Sequence, residues 1–169
     1  IVLTSPNNPT GCVYTSETLA LVAEIAKQTG IYVICDEVYR QLAYVDRELS
    51  FAVLHPALRE QTIVVDSFSK PYAMTGWRLG WLMADEPVKA QIQKVHQYAV
   101  SCAAAFTQRA CVVALSEDIS EMRERYRRRR DLVYGRLVEM GMEVAKPEGA
   151  FYIFPSIQQY GLDSETFCT

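Results

Sequence analysis

The sequence predicts an α/β protein: a three-layer, mostly parallel sheet with one antiparallel strand, followed by the start of a smaller α+β region. Three observations carry this reading. Ile1–Ser5, Ile31–Cys35 and Thr62–Asp66 are short Ile- and Val-rich runs that do not alternate, the pattern of parallel strands covered on both faces. Their starts lie about 30 residues apart, the dimension of a βαβ unit. The chain then changes character after Met142, where short apolar runs flank a Lys-Pro-Glu-Gly turn.

Each element has a local reason. Between the first two runs, Thr15 or Ser16 caps a helix and Glu17 complements its positive end. Leu19, Leu21, Val22, Ile25 and Ala26 form its apolar side, and Gly30 closes it. The second interval is less regular, with a polar Asp46–Ser50 and a short helix near Pro56–Glu60. A fourth run, Leu79–Ala84, follows a Thr75-Gly76-Trp77 turn. Its link to the third run is too short for a helical crossover, which favours antiparallel pairing. Asp85, Glu86 and Pro87 open a helix reaching about Tyr98, Ala104–Leu115 forms another, and a long helix starting at Asp118 stops at Gly141. Met142–Ala145 and Phe151–Phe154 read as strands, and Asp163 as the cap of a further helix. Residue 1 is Ile and the first strand has nothing before it, so the chain reads as a segment of a larger protein.

Composition excludes several functions. The chain has 169 residues, half of them hydrophobic, and a net charge of −3. That balance argues against a basic nucleic-acid or membrane-surface footprint, and no apolar run is long enough to span a bilayer. The densest basic run, Arg123 to Arg130, is interleaved with Glu121, Glu124 and Asp131, as on a salt-bridged helix face. Five cysteines without Cys-x-x-Cys spacing read as reduced cytoplasmic thiols, and neither His55 nor His96 has a metal-like partner. Trp77 and Trp81 read as packing residues.

The chemistry gathers at the carboxyl ends of the strands, where open α/β sheets bind ligands. There the sequence places Asn7-Asn8-Pro9-Thr10-Gly11, then Asp36-Glu37-Val38-Tyr39, then Ser67-Phe68-Ser69-Lys70, with Arg78 eight residues further on. A lysine able to lose its proton, a carboxylate to pair with a protonated ring nitrogen, and hydroxyls and a guanidinium for a phosphate are the parts that pyridoxal phosphate requires.

Asn8-Pro9-Thr10-Gly11, Asp36-x-x-Tyr39, Ser67-x-Ser69-Lys70 and Gly76-Trp77-Arg78-Leu79-Gly80, in this order, resemble the motif set of the class I/II aminotransferases. These are aspartate-aminotransferase-like enzymes of fold type I, and Pro147-x-Gly149-Ala150-Phe151-Tyr152 resembles the family's entry into its small domain. The resemblance implies that residues 1–117 belong to the large cofactor-binding domain, 118–140 to a long interdomain helix, and 141–169 to the beginning of the small domain. It also implies an antiparallel Leu79–Ala84 strand. Lys70 would hold pyridoxal 5′-phosphate as a Schiff base, Asp36 would pair with its ring nitrogen, and Asn8 and Tyr39 would bond its phenolic oxygen. Ser67 and Arg78 would hold the phosphate, with Ser69 as an additional ligand, and Asn8-Pro9 would be a candidate cis peptide. The implied reaction is transamination between an L-amino acid and a 2-oxo acid by a cytoplasmic homodimer, with the isolated segment inactive. A carbon–sulfur β-lyase shares nearly all these residues. A non-catalytic sensor domain of a transcription regulator shares the fold, although such domains usually depart from the Asn-Pro-Thr-Gly run that is intact here.

Overall fold

The computed structural model describes residues 1–169. Its centre is a four-stranded sheet in the order β1 (Val2–Thr4), β2 (Val33–Asp36), β3 (Thr62–Ser67), β4 (Gly80–Met83). The first three strands are parallel, and β4 runs antiparallel to β3, pairing Ser67 with Gly80 and Val65 with Leu82. The predicted fold class is therefore observed, including the reversed strand.

Helix α1 (Ser16–Thr29) joins β1 to β2. Thr15 accepts the Thr18 N–H at 3.2 Å, and Gly30 ends the helix at φ 72°, a left-handed conformation that glycine adopts without strain. The buried side of α1 is narrower than its apolar pattern implies. Leu19, Ala23 and Ala26 are buried, whereas Leu21 and Ile25 face outward. Two alanines on the contact side let the helix lie close to the sheet, and the longer side chains are rotated away.

One face of the sheet packs well. Leu3, Val33, Cys35 and Val64 meet Leu19, Ala23 and Ala26 of α1, together with Phe51 from the single turn α2 (Phe51–Leu54) and Leu58 from a 3₁₀ segment over Pro56–Gln61. The opposite face is looser. Val2, Ile34, Val65 and Leu82 retain between 37% and 65% of their exposure. Helix α3 (Glu86–Val100) stands off from β3 and β4 across a cavity of about 780 Å³. The expectation of two covered faces is thus met on one side only.

Helices α4 (Ala105–Ala114) and α5 (Ser120–Glu139) follow at the predicted places. Glu121, Glu124 and Asp131 pair with Arg125, Arg127, Arg128 and Arg130 along α5, as the interleaved charges predict. The two predicted strands beyond α5 do not form. Only isolated bridges join Val144 to Pro155 and Ala43 to Gly149, because Phe151 and Tyr152 turn toward the sheet rather than pairing with each other's neighbours. Asp163 caps α6 (Ser164–Cys168) by accepting the Thr166 N–H. Trp81 packs beside Phe68 and Leu79, but Trp77 lies exposed in a 3₁₀ turn and packs against no core cluster. All five cysteines are free.

Candidate active site

Parallel strands deliver their carboxyl ends to one rim of the sheet, and the candidate residues follow directly from β2, β3 and the turn before β4. Asp36 is the last residue of β2 and lies on the looser face, level with Thr4 and Val65. Its Oδ1 accepts the Val38 N–H at 3.2 Å, which fixes the carboxylate at the start of the following turn. That turn carries Tyr39 inward, where the residue is buried against Leu42 and Ala150.

Lys70 follows β3 by three residues, and its Nζ sits 5.7 Å from the centroid of the Tyr39 ring and 5.5 Å from that of Phe151. An ammonium between two ring faces is held by their quadrupoles. Ser67 ends β3, and its Oγ accepts the Ser69 N–H at 3.3 Å. Across the sheet stands Gly80, where a Cβ would come within 3.0 Å of the Asp66 carbonyl. Glycine at that position lets β4 approach β3 closely beside Ser67.

Arg78 adopts φ 52° at the end of the Thr75–Trp77 turn, an unusual conformation for a side-chain-bearing residue. Its Nη1 donates to the Thr75 carbonyl at 2.9 Å, leaving the other guanidinium N–H groups free. Ser67, Ser69 and Arg78 all line the cavity between the sheet and α3. The candidates therefore fall into two groups: Asp36, Tyr39 and Lys70 at one end, and the phosphate-type donors at the other. Asn8 is brought into neither by a hydrogen bond. It lies exposed in the Asn7–Gly11 loop, where Asn7 accepts from Thr10, and both Ser5-Pro6 and Asn8-Pro9 are cis.

Beneath the rim lies a buried charge cluster with no counterpart in the sequence reading. Glu37 is pushed up by burial, and Arg40 reaches it at 3.1 Å. Asp66 is 3% exposed, and burial raises it to about 6, while its Oδ1 accepts the Ser67 N–H at 2.6 Å. This cluster underpins the turns that carry Asp36, Tyr39 and Ser67.

A second feature was also missed. Tyr152, 113 residues after Tyr39, places its hydroxyl 2.5 Å from the Tyr39 hydroxyl. Phe151 stands beside it, edge-on to the Tyr39 ring at 5.4 Å. The Pro-x-Gly-Ala-Phe-Tyr run was the available signal, although it marked a chain segment and not a contact.

Residues 1–167 match the family model for aminotransferase class I and II. The chain belongs to this family. It is 45% identical over 99% of its length to a probable N-acetyl-LL-diaminopimelate aminotransferase of Bacillus subtilis, covering 42% of that protein. It is 42% identical to aromatic-amino-acid aminotransferase 2 of Thermococcus litoralis, covering 99% of this chain and 44% of that one. Among solved structures, aspartate aminotransferase from Thermotoga maritima superposes with a TM-score of 0.92 at 37% identity, over 99% of this chain and 44% of the other. The chain thus spans less than half the length of the relatives it matches. Enzymes of this family use pyridoxal phosphate, and the donor set here suits that group: an amine, a carboxylate, a phenol and a cluster of hydroxyl and guanidinium donors. No helix is long and apolar enough to cross a membrane.

Proposed function

We propose that this chain is the cofactor-anchoring part of an aminotransferase that exchanges the amino group of an L-amino acid with the oxygen of a 2-oxo acid. The observation that carries the reading is the convergence of Lys70, Tyr39 and Asp36 at the rim of the sheet, with Ser67, Ser69 and Arg78 lining the adjoining cavity. In this reading residues 1–117 are part of the large domain, 118–140 the connecting helix and 141–169 the start of the small domain. The complete enzyme is a homodimer. Five free thiols suit the reducing cytoplasm.

Each residue has a task. When bound, pyridoxal phosphate supplies an aldehyde that exchanges amines and a ring that takes up the electron pair released at the substrate Cα. Ser67, Ser69 and Arg78 hold the phosphate, the guanidinium through the N–H groups that Thr75 leaves free. Asp36 keeps the ring nitrogen protonated through its second carboxylate oxygen, since the first is engaged by Val38. Tyr39 and Asn8 donate to the phenolic oxygen. Burial pushes the Tyr39 phenol up, so it stays a neutral donor throughout the physiological range. Lys70 anchors the group and, once released, moves the Cα proton at its Nζ.

The test uses the complete enzyme that carries this segment. Borohydride reduction of the loaded protein should fix the cofactor on the peptide containing Lys70. Lys70→Ala should carry no label and lose at least about 10³-fold in amino-group transfer. Label on another lysine, or transfer at the wild-type rate by Lys70→Ala, would overturn the assignment.

A further inference from the structure

We infer that Tyr152 is a positioning residue for the reaction, acting through Tyr39: its hydroxyl sets which way the Tyr39 phenol donates. This rests on the function proposed above and extends it to a side chain from the far end of the chain. The hydroxyl oxygens lie 2.5 Å apart, and the two rings meet edge-on with centroids at 5.5 Å.

Proton counting decides the direction. Each phenol has one proton to donate and lone pairs to accept with. Tyr39 uses its proton toward the cofactor's phenolic oxygen, so the proton between the two tyrosines must then come from Tyr152. A phenol that accepts a hydrogen bond is also a stronger donor through its own O–H. Without Tyr152, the Tyr39 hydroxyl loses both its orienting partner and that polarisation.

The segment that carries Tyr152 is held with little freedom. Glu148 and Gly149 both donate their N–H groups to the Gly11 carbonyl, at 2.9 and 3.0 Å. The Glu148 carbonyl accepts the Tyr44 N–H at 2.7 Å, the Tyr44 hydroxyl donates to the Ala150 carbonyl, and Arg130 of α5 donates to the Pro147 carbonyl. A Cβ on Gly149 would lie 2.5 Å from the Pro6 side chain, so the backbone there lies directly against the loop after β1. Ala150 is buried at φ 59°, a conformation retained only where the surroundings over-determine it. This kink aims Phe151 and Tyr152 at Tyr39 and Lys70. Three separate parts of the chain thus converge to hold one hydroxyl against another.

The charged groups facing the pair are few. The Lys70 Nζ lies over the rings of Tyr39 and Phe151, and the Asp36 carboxylate acts on the Tyr39 phenol from the end of β2. Arg129 and Arg130 of α5 line a small cavity on the outer side of Tyr152. Burial is the main cause that raises the Tyr39 phenol.

The test is an absorbance titration of bound pyridoxal phosphate in the complete enzyme, comparing wild type, Tyr152→Phe, Tyr39→Phe and the double variant. A donor at the phenolic oxygen favours its anionic form and weakens its hold on the proton, so losing that donor raises the pH midpoint. Tyr152→Phe keeps the ring and removes only the hydroxyl. Its midpoint should rise by about 0.5 to 1 pH unit, the size of one neutral hydrogen bond, with the melting temperature nearly unchanged. Tyr39→Phe should shift further, and the double variant should match Tyr39→Phe alone, because Tyr152 acts only through Tyr39. A wild-type midpoint in Tyr152→Phe, or shifts that simply add in the double variant, would overturn the inference while leaving the proposed function standing. A wild-type enzyme with no Lys70-dependent band would overturn both.

Discussion

The two faces of the sheet share strands but differ in packing. On the α1 side, Val33 and Val64 are almost fully buried, and Phe51 and Leu58 close the layer beside them. On the other side, Ile34 and Val65 alternate with those residues along the same strands yet keep 37% of their exposure, and a cavity separates Val65 from α3. In the proposed reading, the difference separates the residues that hold the sheet from those that meet the ligand. The tight face holds the strands in register. The loose face carries Asp36 at its rim and opens toward Ser67 and Arg78, where a ligand needs space. Phe51→Ala should therefore have the largest effect, lowering the unfolding free energy of this chain by about 3 to 4 kcal/mol in urea denaturation. A loss below about 1 kcal/mol would mean that the α1 layer does not hold the sheet together.

A matched pair sharpens the contrast. Val33 and Val65 can each be changed to Thr, which keeps the shape and adds one hydroxyl. At Val33 the hydroxyl enters an apolar layer without a partner, and the expected loss is about 2 kcal/mol. At Val65 it reaches water, and the expected loss is under about 0.5 kcal/mol. Equal losses would show that the loose face is covered in solution, and a dependence on protein concentration would identify self-association as the cover.

What the sequence disclosed follows the range of the interactions. Asp36 and Ser67 end strands, and Tyr39 and Lys70 lie on the short turns that follow them, so their chemistry and spacing are local and could be read directly. The strands themselves were legible as Ile- and Val-rich runs, and β4 as a strand too soon after β3 for a helical crossover. Contacts across the chain were not legible. Phe151–Phe154 has the composition of a strand, but Ala150 kinks it toward Tyr39, and no local pattern encodes a partner more than a hundred residues away. Arg130 looked like one member of a solvated basic run. Besides pairing with Asp131, it reaches the Pro147 carbonyl and lies over the Tyr44 ring, 4.6 Å from its centroid, whereas Arg127 pairs only along the helix surface. The covered width of α1 was misjudged for a related reason: hydrophobicity marks Leu21 and Ile25, whereas close approach to the sheet selects Ala23 and Ala26.

A pH-dependent effect is expected at Asp66, on the α1 side of β3. Its carboxyl is raised from 3.8 to about 6, chiefly because it is buried; Arg40 opposes that rise and Asp36 adds to it. A carboxyl raised in the folded state favours folding below its ordinary value, and that contribution is lost as pH climbs through the folded value. Stability should accordingly decline between pH 4 and 6 as the buried group is forced to ionise. Asp66→Asn keeps an oxygen to accept the Ser67 N–H and removes the charge, and Arg40 retains Glu37 as its partner. The variant should match wild type near pH 4 and exceed it by about 2 to 3 kcal/mol at pH 7 to 8, with the slope that remains belonging to Glu37. A variant that is less stable than wild type at pH 8 would mean that the ionised Asp66 is stabilised by Arg40 after all. The charge cluster beneath the rim would then be a source of stability rather than a strain accepted to hold the turns of the site.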